Sequence, residues 1–173
     1  MLLLGKETDT QDITGTVLKE CDPSEITEET AKKCIESFIG EYDQIPPMYS
    51  ALKVNGKKLY ELAREGKVVE RKSRKVQIYD IRIKEMKLPR IRMEVSCSKG
   101  TYIRTLCNDV GEVLGVGGCM ESLLRTKVSR FELKDSMKLA DIEKAKNEGR
   151  TEEIILPLDE VSVSYTHLTL PTT

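Results

Sequence analysis

Few side chains in this 173-residue sequence are equipped for catalysis, and two of them stand two residues apart. The stretch Cys97-Ser98-Lys99-Gly100-Thr101-Tyr102-Ile103-Arg104-Thr105 sets a tyrosine and an arginine just past a glycine. A tyrosine there could stack on a flat ligand or take part in proton transfer. An arginine could hold a carboxylate through a two-pronged ion pair. Asp9 and Asp12, in Thr8-Asp9-Thr10-Gln11-Asp12, form a second candidate, since a spacing of three can put both around one turn. The same spacing serves equally well in a turn closed by Asx hydrogen bonds. The only histidine, His167, falls in a C-terminal tail, so histidine triads and histidine metal sites have no support. The cysteines Cys21, Cys34, Cys97, Cys107 and Cys119 are odd in number and form no Cys-x-x-Cys pair. Those at 34, 97 and 107 lie in apolar stripes and read as small buried hydrophobes of a reduced, cytoplasmic protein. No zinc or other metal site is expected.

The elements that must hold Tyr102 and Arg104 are written on either side of them. Ile91, Met93, Val95 and Cys97 alternate with Arg92, Glu94, Ser96 and Ser98, which predicts a half-buried strand. Ile103, Leu106, Cys107, Val110 and Leu114 recur at helical spacing. The pair thus falls at a strand-to-helix junction, where a rigid scaffold can aim side chains at a ligand. Periodicity alone also allows a tyrosine packed on a sheet edge and an ordinary surface arginine.

Charge is distributed unevenly. The formal net charge is -1, yet residues 53–104 carry 16 basic and 6 acidic side chains, whereas residues 1–52 carry 4 and 11. So basic a middle third would attract a polyanion, or form a lysine-rich solvated face. With 39% hydrophobic and 33% charged residues, the composition is that of a folded soluble chain, and Leu2-Leu3-Leu4 is too short to span a membrane.

Elsewhere, Leu2-Leu3-Leu4 reads as the end of a strand whose partners should precede it. Thr27 can cap a helix with Glu28 and Glu29 in its first turn, Ala31, Cys34, Ile35, Phe38 and Ile39 inward and Gly40 as its stop. Paired prolines exclude helix at Ile45-Pro46-Pro47-Met48-Tyr49-Ser50, and Asn55-Gly56 predicts a tight hairpin turn. A short helix is expected over 57–64, ended by Gly66. A strand over 76–83 changes phase between Ile78 and Tyr79, as at a bulge or in a strand buried on both sides. The glycine-rich run 111–118 follows a helix instead of opening one, so a dinucleotide or phosphate loop fails on context. Residues 122–131 suggest the last strand of the sheet or an RNA-contacting edge. Ser136 or Asp135 would cap a helix carrying Leu139, Ile142 and Ala145 and stopping at Gly149. From Ser162 the tail SVSYTHLTLPTT changes compositional style, and residues 161–173 are read as a non-native tail.

Four segments carry a resemblance. Cys97 to Gly115, CSKGTYIRTLCNDVGEVLG, resembles the sequence around the active-site tyrosine of bacterial tRNA pseudouridine synthases that modify the T-arm uridine. Leu4 to Asp12 resembles their LGxxTDTxD segment. Gln44 to Lys53, followed by Gly56 to Tyr60, resembles QxPPxYSAxK…GxxxY, and Leu123 to Thr126 resembles LxRT. Ordered and spaced as they are, the matches span roughly residues 3–160.

The resemblance implies an α+β catalytic domain with a mixed, largely antiparallel sheet flanked by helices. It implies isomerisation of one uridine in the T arm of tRNA, without metal or cofactor, by a monomer with no membrane partner. An aspartate attacks the flipped-out nucleotide, the glycosidic bond breaks and the base rejoins through carbon. By motif position, Tyr102 is the tyrosine that stacks on the base, Arg104 pairs with the aspartate and Leu123 lines the uracil pocket. Asp9 is assigned to substrate binding, and Lys53, Lys57, Lys58, Lys99 and Arg125 are assigned to phosphates because they flank the matched segments.

The family's Gly-x-Leu-Asp-Pro loop has no counterpart here; Asp9, Asp12 and Asp22 fall in other motifs. The expectation is therefore an incomplete domain: residues 1–160 as the later part of a catalytic domain, lacking the aspartate segment and any C-terminal RNA-binding domain. Such a chain would be marginally stable and inactive alone. RNA binding without catalysis, or a plain structural domain, would be the other readings.

Overall fold

Residues 1–123 are organised by one antiparallel sheet. In chain order the elements are β1 (Leu2–Leu4), β2 (Lys6–Thr8), β3 (Val17–Glu20), α1 (Glu28–Glu36), β4 (Gly40–Gln44), β5 (Lys53–Val54), β6 (Lys57–Lys58), α2 (Leu59–Arg64), β7 (Arg74–Lys87), β8 (Arg90–Cys97), α3 (Ile103–Val113) and β9 (Gly118–Met120). The computed structural model describes residues 1–157 and divides into two units, Met1–Leu123 and Leu124–Thr173. The expected tail, 161–173, lies outside the described residues.

The sheet runs β4-β7-β8-β1-β9, with every pair of strands antiparallel. The expected mixed sheet is corrected to that extent: among the described residues the parallel pairing is an isolated bridge, Asp12 to Met120. The expectation of an unpartnered first strand is also wrong. Leu2 pairs with Ile91 of β8 on one side and with Met120 of β9 on the other, and all three leucines are buried. Partners for this strand come from far along the chain, which local pattern cannot reveal.

Alternation builds the β7–β8 ladder as its sequence requires, and the register slips between Ile78 and Asp80, leaving Tyr79 exposed as a bulge. α1 and α3 pack against each other, α1 over β7 and α3 over β1 and β9. Ala31, Cys34 and Ile35 meet Leu106, Cys107 and Val110 above Leu2, Ile78 and Ile91. The Thr27 hydroxyl accepts the Thr30 N–H at 3.2 Å, the cap its position predicts. α1 ends at Glu36, however, and Gly40, at φ +116°, opens β4 instead of stopping the helix, so Ile39 is exposed.

The glycine-rich run has a packing use. A Cβ on Gly111 would lie 2.1 Å from the Gly118 nitrogen, so α3 approaches β9 as closely as backbone allows. β9 is thus the outermost strand of this side. Residues 122–131, expected as the sheet's last strand or an RNA-contacting edge, instead supply β10 (Lys127–Val128) and β11 (Phe131–Glu132), a separate two-stranded ribbon in the second unit. There α4 (Leu139–Asn147) follows, begun at Lys138 without a side-chain cap, so neither Asp135 nor Ser136 serves as one.

A second, smaller core forms in the first unit. β5 and β6 pair across Asn55-Gly56, whose φ values of +50° and +83° fit the two-residue turn read from the sequence. The hairpin claims Lys57 and Lys58, so α2 is shorter than expected, and Leu59 and Leu62 bury against Met48.

Candidate active site

The junction after β8 is pinned by hydrogen bonds at Ser98, Thr101 and Tyr102. Ser98 exchanges two bonds with Gln77: its N–H donates to the Gln77 carbonyl at 2.8 Å, and its hydroxyl accepts the Gln77 N–H at 3.0 Å. Gly100 adopts φ +87°, turning the chain, and the Thr101 hydroxyl donates back to the Ser98 carbonyl at 2.9 Å. α3 then starts with Tyr102 as its N-cap in extended geometry, its carbonyl accepting the Leu106 N–H at 3.1 Å. Lys99 is exposed on the turn, while Tyr102 and Arg104 are half-buried.

Three separated segments meet on this turn. The Arg104 guanidinium donates to the Tyr49 carbonyl at 2.6 Å, joining α3 to the Pro-Pro segment. The Thr105 hydroxyl donates to Gln11 Oε1 at 2.7 Å, joining it to the Thr-Asp-Thr-Gln-Asp loop. Gln44, at the end of β4, accepts the Tyr102 N–H at 2.8 Å and donates to the Tyr102 carbonyl at 3.1 Å. Neither Gln11 nor Gln44 was singled out by sequence reasoning; both lie inside matched segments, but nothing local says what they touch.

The early aspartates do other work. Asp9 Oδ1 accepts the Thr16 N–H at 2.8 Å, and Asp12 Oδ1 accepts the N–H and hydroxyl of Thr14 at 3.0 and 2.7 Å. Asp22 accepts the Ser24 N–H at 2.9 Å. These are loop-closing contacts. Among the described residues Arg104 has no carboxylate partner, which leaves most of its donors open.

The lysines gather on the hairpin. Lys53 stands directly opposite Lys58, a like-charged pair that destabilises a ladder unless an anion lies over it. Lys58 Nζ donates to the Tyr60 hydroxyl at 3.2 Å, which raises the lysine pKa, and sits 5.3 Å from the ring centre; Arg64 lies 5.4 Å from the same ring. Lys57 is 3.7 Å from Glu65 and shares that carboxylate with Lys67. Leu123 is 54% exposed beyond β9, and Arg125, also exposed, belongs to the second unit.

Two titratable groups behind the turn are perturbed. Burial pushes the Asp109 carboxyl up to about 6, with Asn108 opposing and Glu112 adding to the shift. Burial raises the Tyr42 phenol too, and the nearby Asp109 adds to it.

Two family models match the chain: the TruB family pseudouridylate synthase N-terminal domain over residues 1–103, and the tRNA pseudouridylate synthase B C-terminal domain over residues 104–162. A tRNA pseudouridine synthase B of Clostridium tetani is 48% identical over 164 residues, covering 95% of this chain and 55% of that protein. One from Alkaliphilus oremlandii is 50% identical over 158 residues, covering 91% and 52%. The chain therefore spans about half the length of these curated relatives. Among solved structures, a chain of a Cbf5-Nop10-Gar1 complex aligns with 92% of this chain and 41% of its own, at TM-score 0.63 and 24% identity. A chain of an H/ACA RNP bound to a substrate RNA containing 2'-deoxyuridine aligns with 78% and 37%, at 0.57 and 22%. At such identities the likeness is one of fold.

The matches correct the expectation of a chain made only of the later part of a catalytic domain with no C-terminal domain. Both domain models find a counterpart, and they meet between Ile103 and Arg104, in the first turn of α3. With the N-terminal model alone matching more than half the residues, the chain belongs to the TruB family of pseudouridylate synthases.

Proposed function

We propose that the protein isomerises a uridine in the T arm of tRNA to pseudouridine. The observation that carries this reading is the meeting of three distant segments, through Gln11, Gln44 and Tyr49, on the turn bearing Tyr102 and Arg104. Such bracing suits a residue that must receive a flat base in one orientation. Extruding a base from its stack costs a few kcal/mol, and stacking on an aromatic ring offsets about 1–3 kcal/mol of that.

In this reading Tyr102 stacks on the target base and assists removal of the proton from the carbon that joins the sugar. Arg104 has donors left over for an anionic group of the substrate site, and Leu123 lines the uracil pocket. The reaction breaks a nitrogen–carbon bond and forms a carbon–carbon bond in the same nucleotide, so no atom or electron is gained or lost and no cofactor or metal is called for. Lys53, Lys57, Lys58, Lys99 and Arg125 contact phosphates, and Asp9 shapes the substrate-facing loop. A monomer in the cytoplasm, with no membrane partner, fits a tRNA substrate and five unpaired cysteines.

A second reading, RNA binding without turnover, draws on Lys53 facing Lys58, which invites a polyanion whatever the chemistry. A T-arm stem-loop carrying uridine tritiated at the carbon that loses its proton separates the two. Release of tritium is expected. Binding without release favours the second reading, and absence of binding overturns both.

A further inference from the structure

Gln44 is 1% exposed and its side-chain amide is spent almost entirely on one other residue. Its Oε1 accepts the Tyr102 N–H at 2.8 Å and its Nε2 donates to the Tyr102 carbonyl at 3.1 Å. A single hydrogen bond would leave the peptide free to swing about it. Bonds to both polar groups of one residue fix the planes on either side of its Cα, as a neighbouring strand does. They thereby hold φ -96° and ψ 106°, and with them the direction in which the tyrosine leaves the backbone.

The amide can serve in only one orientation, because the Tyr102 N–H needs an acceptor and its carbonyl a donor. A third contact, from Nε2 to the Tyr42 hydroxyl, is compatible with that orientation, since a phenol oxygen can accept. Tyr42 is itself set edge-on to Phe38, with ring centres 5.4 Å apart at 88°. The chain of support runs from the aromatic pair through Gln44 to Tyr102. α3 itself holds the Tyr102 carbonyl through the Leu106 N–H, and β4 adds the hold on the Tyr102 N–H and a second bond to its carbonyl.

We propose that Gln44 is a positioning residue that sets the Tyr102 ring against the incoming base by clamping the Tyr102 backbone. The proposal rests on the reading of Tyr102 as the base-stacking residue, while the clamp itself is independent of that reading. Gln44→Leu keeps the volume and removes both bonds; Gln44→Glu keeps the acceptor and loses the donor.

Amide hydrogen exchange in the free protein tests the clamp. In Gln44→Leu the Tyr102 amide should exchange about tenfold faster, the scale of one lost hydrogen bond, while the Ile91 amide in the sheet is unmoved. Gln44→Glu should keep most of the Tyr102 protection, and Gln44→Met, which also lacks both amide groups, should show the leucine variant's acceleration and decides the matter should that variant fail to fold. Equal acceleration at Tyr102 and Ile91, or none at Tyr102, overturns the clamp.

Turnover on the tritiated stem-loop tests its consequence. Gln44→Leu should lower kcat about tenfold to a hundredfold, the cost of a misplaced group, with stem-loop affinity within about twofold. In a Tyr102→Ala background the same change should cost nothing further. Additive losses, or a loss of affinity with kcat intact, overturn the positioning role. A wild-type protein that binds but does not turn over overturns the enzymatic reading, and amide exchange still decides the clamp.

Discussion

The turn carrying Tyr102 and Arg104 rests on twelve buried residues drawn from α1, α3 and the sheet, whereas the hairpin carrying Lys53, Lys57 and Lys58 rests on Met48, Leu59 and Leu62. Both are assigned to the same RNA, yet their foundations differ in kind. A stacking residue has to be held to within a fraction of an ångström, which a deep core and bonds from three segments provide. A lysine that neutralises phosphate works through a screened, long-reaching charge and tolerates looseness. Precision and capture are assigned to different cores, and the contrast can be broken at several points.

The largest effect should come from Leu106→Ala. Leu106 is 0% exposed at the meeting of α3 with the sheet, and its truncation should cost about 2–5 kcal/mol in urea unfolding. Leu59→Ala removes the same atoms from an equally buried site, 1% exposed. Its effect should be mainly local: faster exchange at the Leu59 and Tyr60 amides, which donate to Leu52 and Ser50, and a smaller shift of the urea midpoint. Equal midpoint shifts would mean that the two cores unfold as one.

Next in size is the charge of the hairpin. Replacing Lys53 and Lys58 by alanine should weaken stem-loop binding and reduce the salt slope by about 1.5, the loss of two phosphate contacts. Thermal stability should not fall, because the pair repels itself across the ladder. Lys57→Ala should move the slope less, since Glu65 already holds that charge. An unchanged slope in the double variant would make this a solvated face.

The smallest effect concerns Asp109, half-buried behind the turn near Tyr42 and Glu112. Its folded pKa of about 6 lies above the ordinary carboxyl value of 3.8, so the folded state binds the extra proton between them. Wild-type stability from this group is therefore greatest below pH 3.8 and declines as pH rises through 6. Asp109→Asn should melt close to wild type near pH 4 and higher than wild type at pH 7. A constant difference across that range would show that the carboxylate stays charged throughout.

Local chemistry was legible and long-range pairing was not. Thr27 as a cap, Asn55-Gly56 as a turn and the bulge at Tyr79 each depend on neighbours a few residues away, and each is where its residues put it. The strand-helix junction around Tyr102 followed from two periodicities meeting. β9 was missed because three residues starting on glycine carry no strand pattern; the strand exists because Gly111 lets α3 lie against it. The clamp from Gln44 was missed for a related reason. A buried glutamine at the end of a strand has no signature until its partner, 58 residues away, is known. The partners of β1 were misjudged on the same grounds.

That first strand has a consequence in time. Leu2 cannot take its place until Ile91 flanks it on one side and Met120 on the other. At 5–20 residues per second, the stretch between Leu2 and Met120 takes roughly 6–24 s to emerge during synthesis. Three consecutive leucines that end wholly buried must wait in the open for that interval. β1 thus closes against partners made long after it, and an apolar tripeptide is offered to chaperones, or to other nascent chains, before it is offered to its own fold.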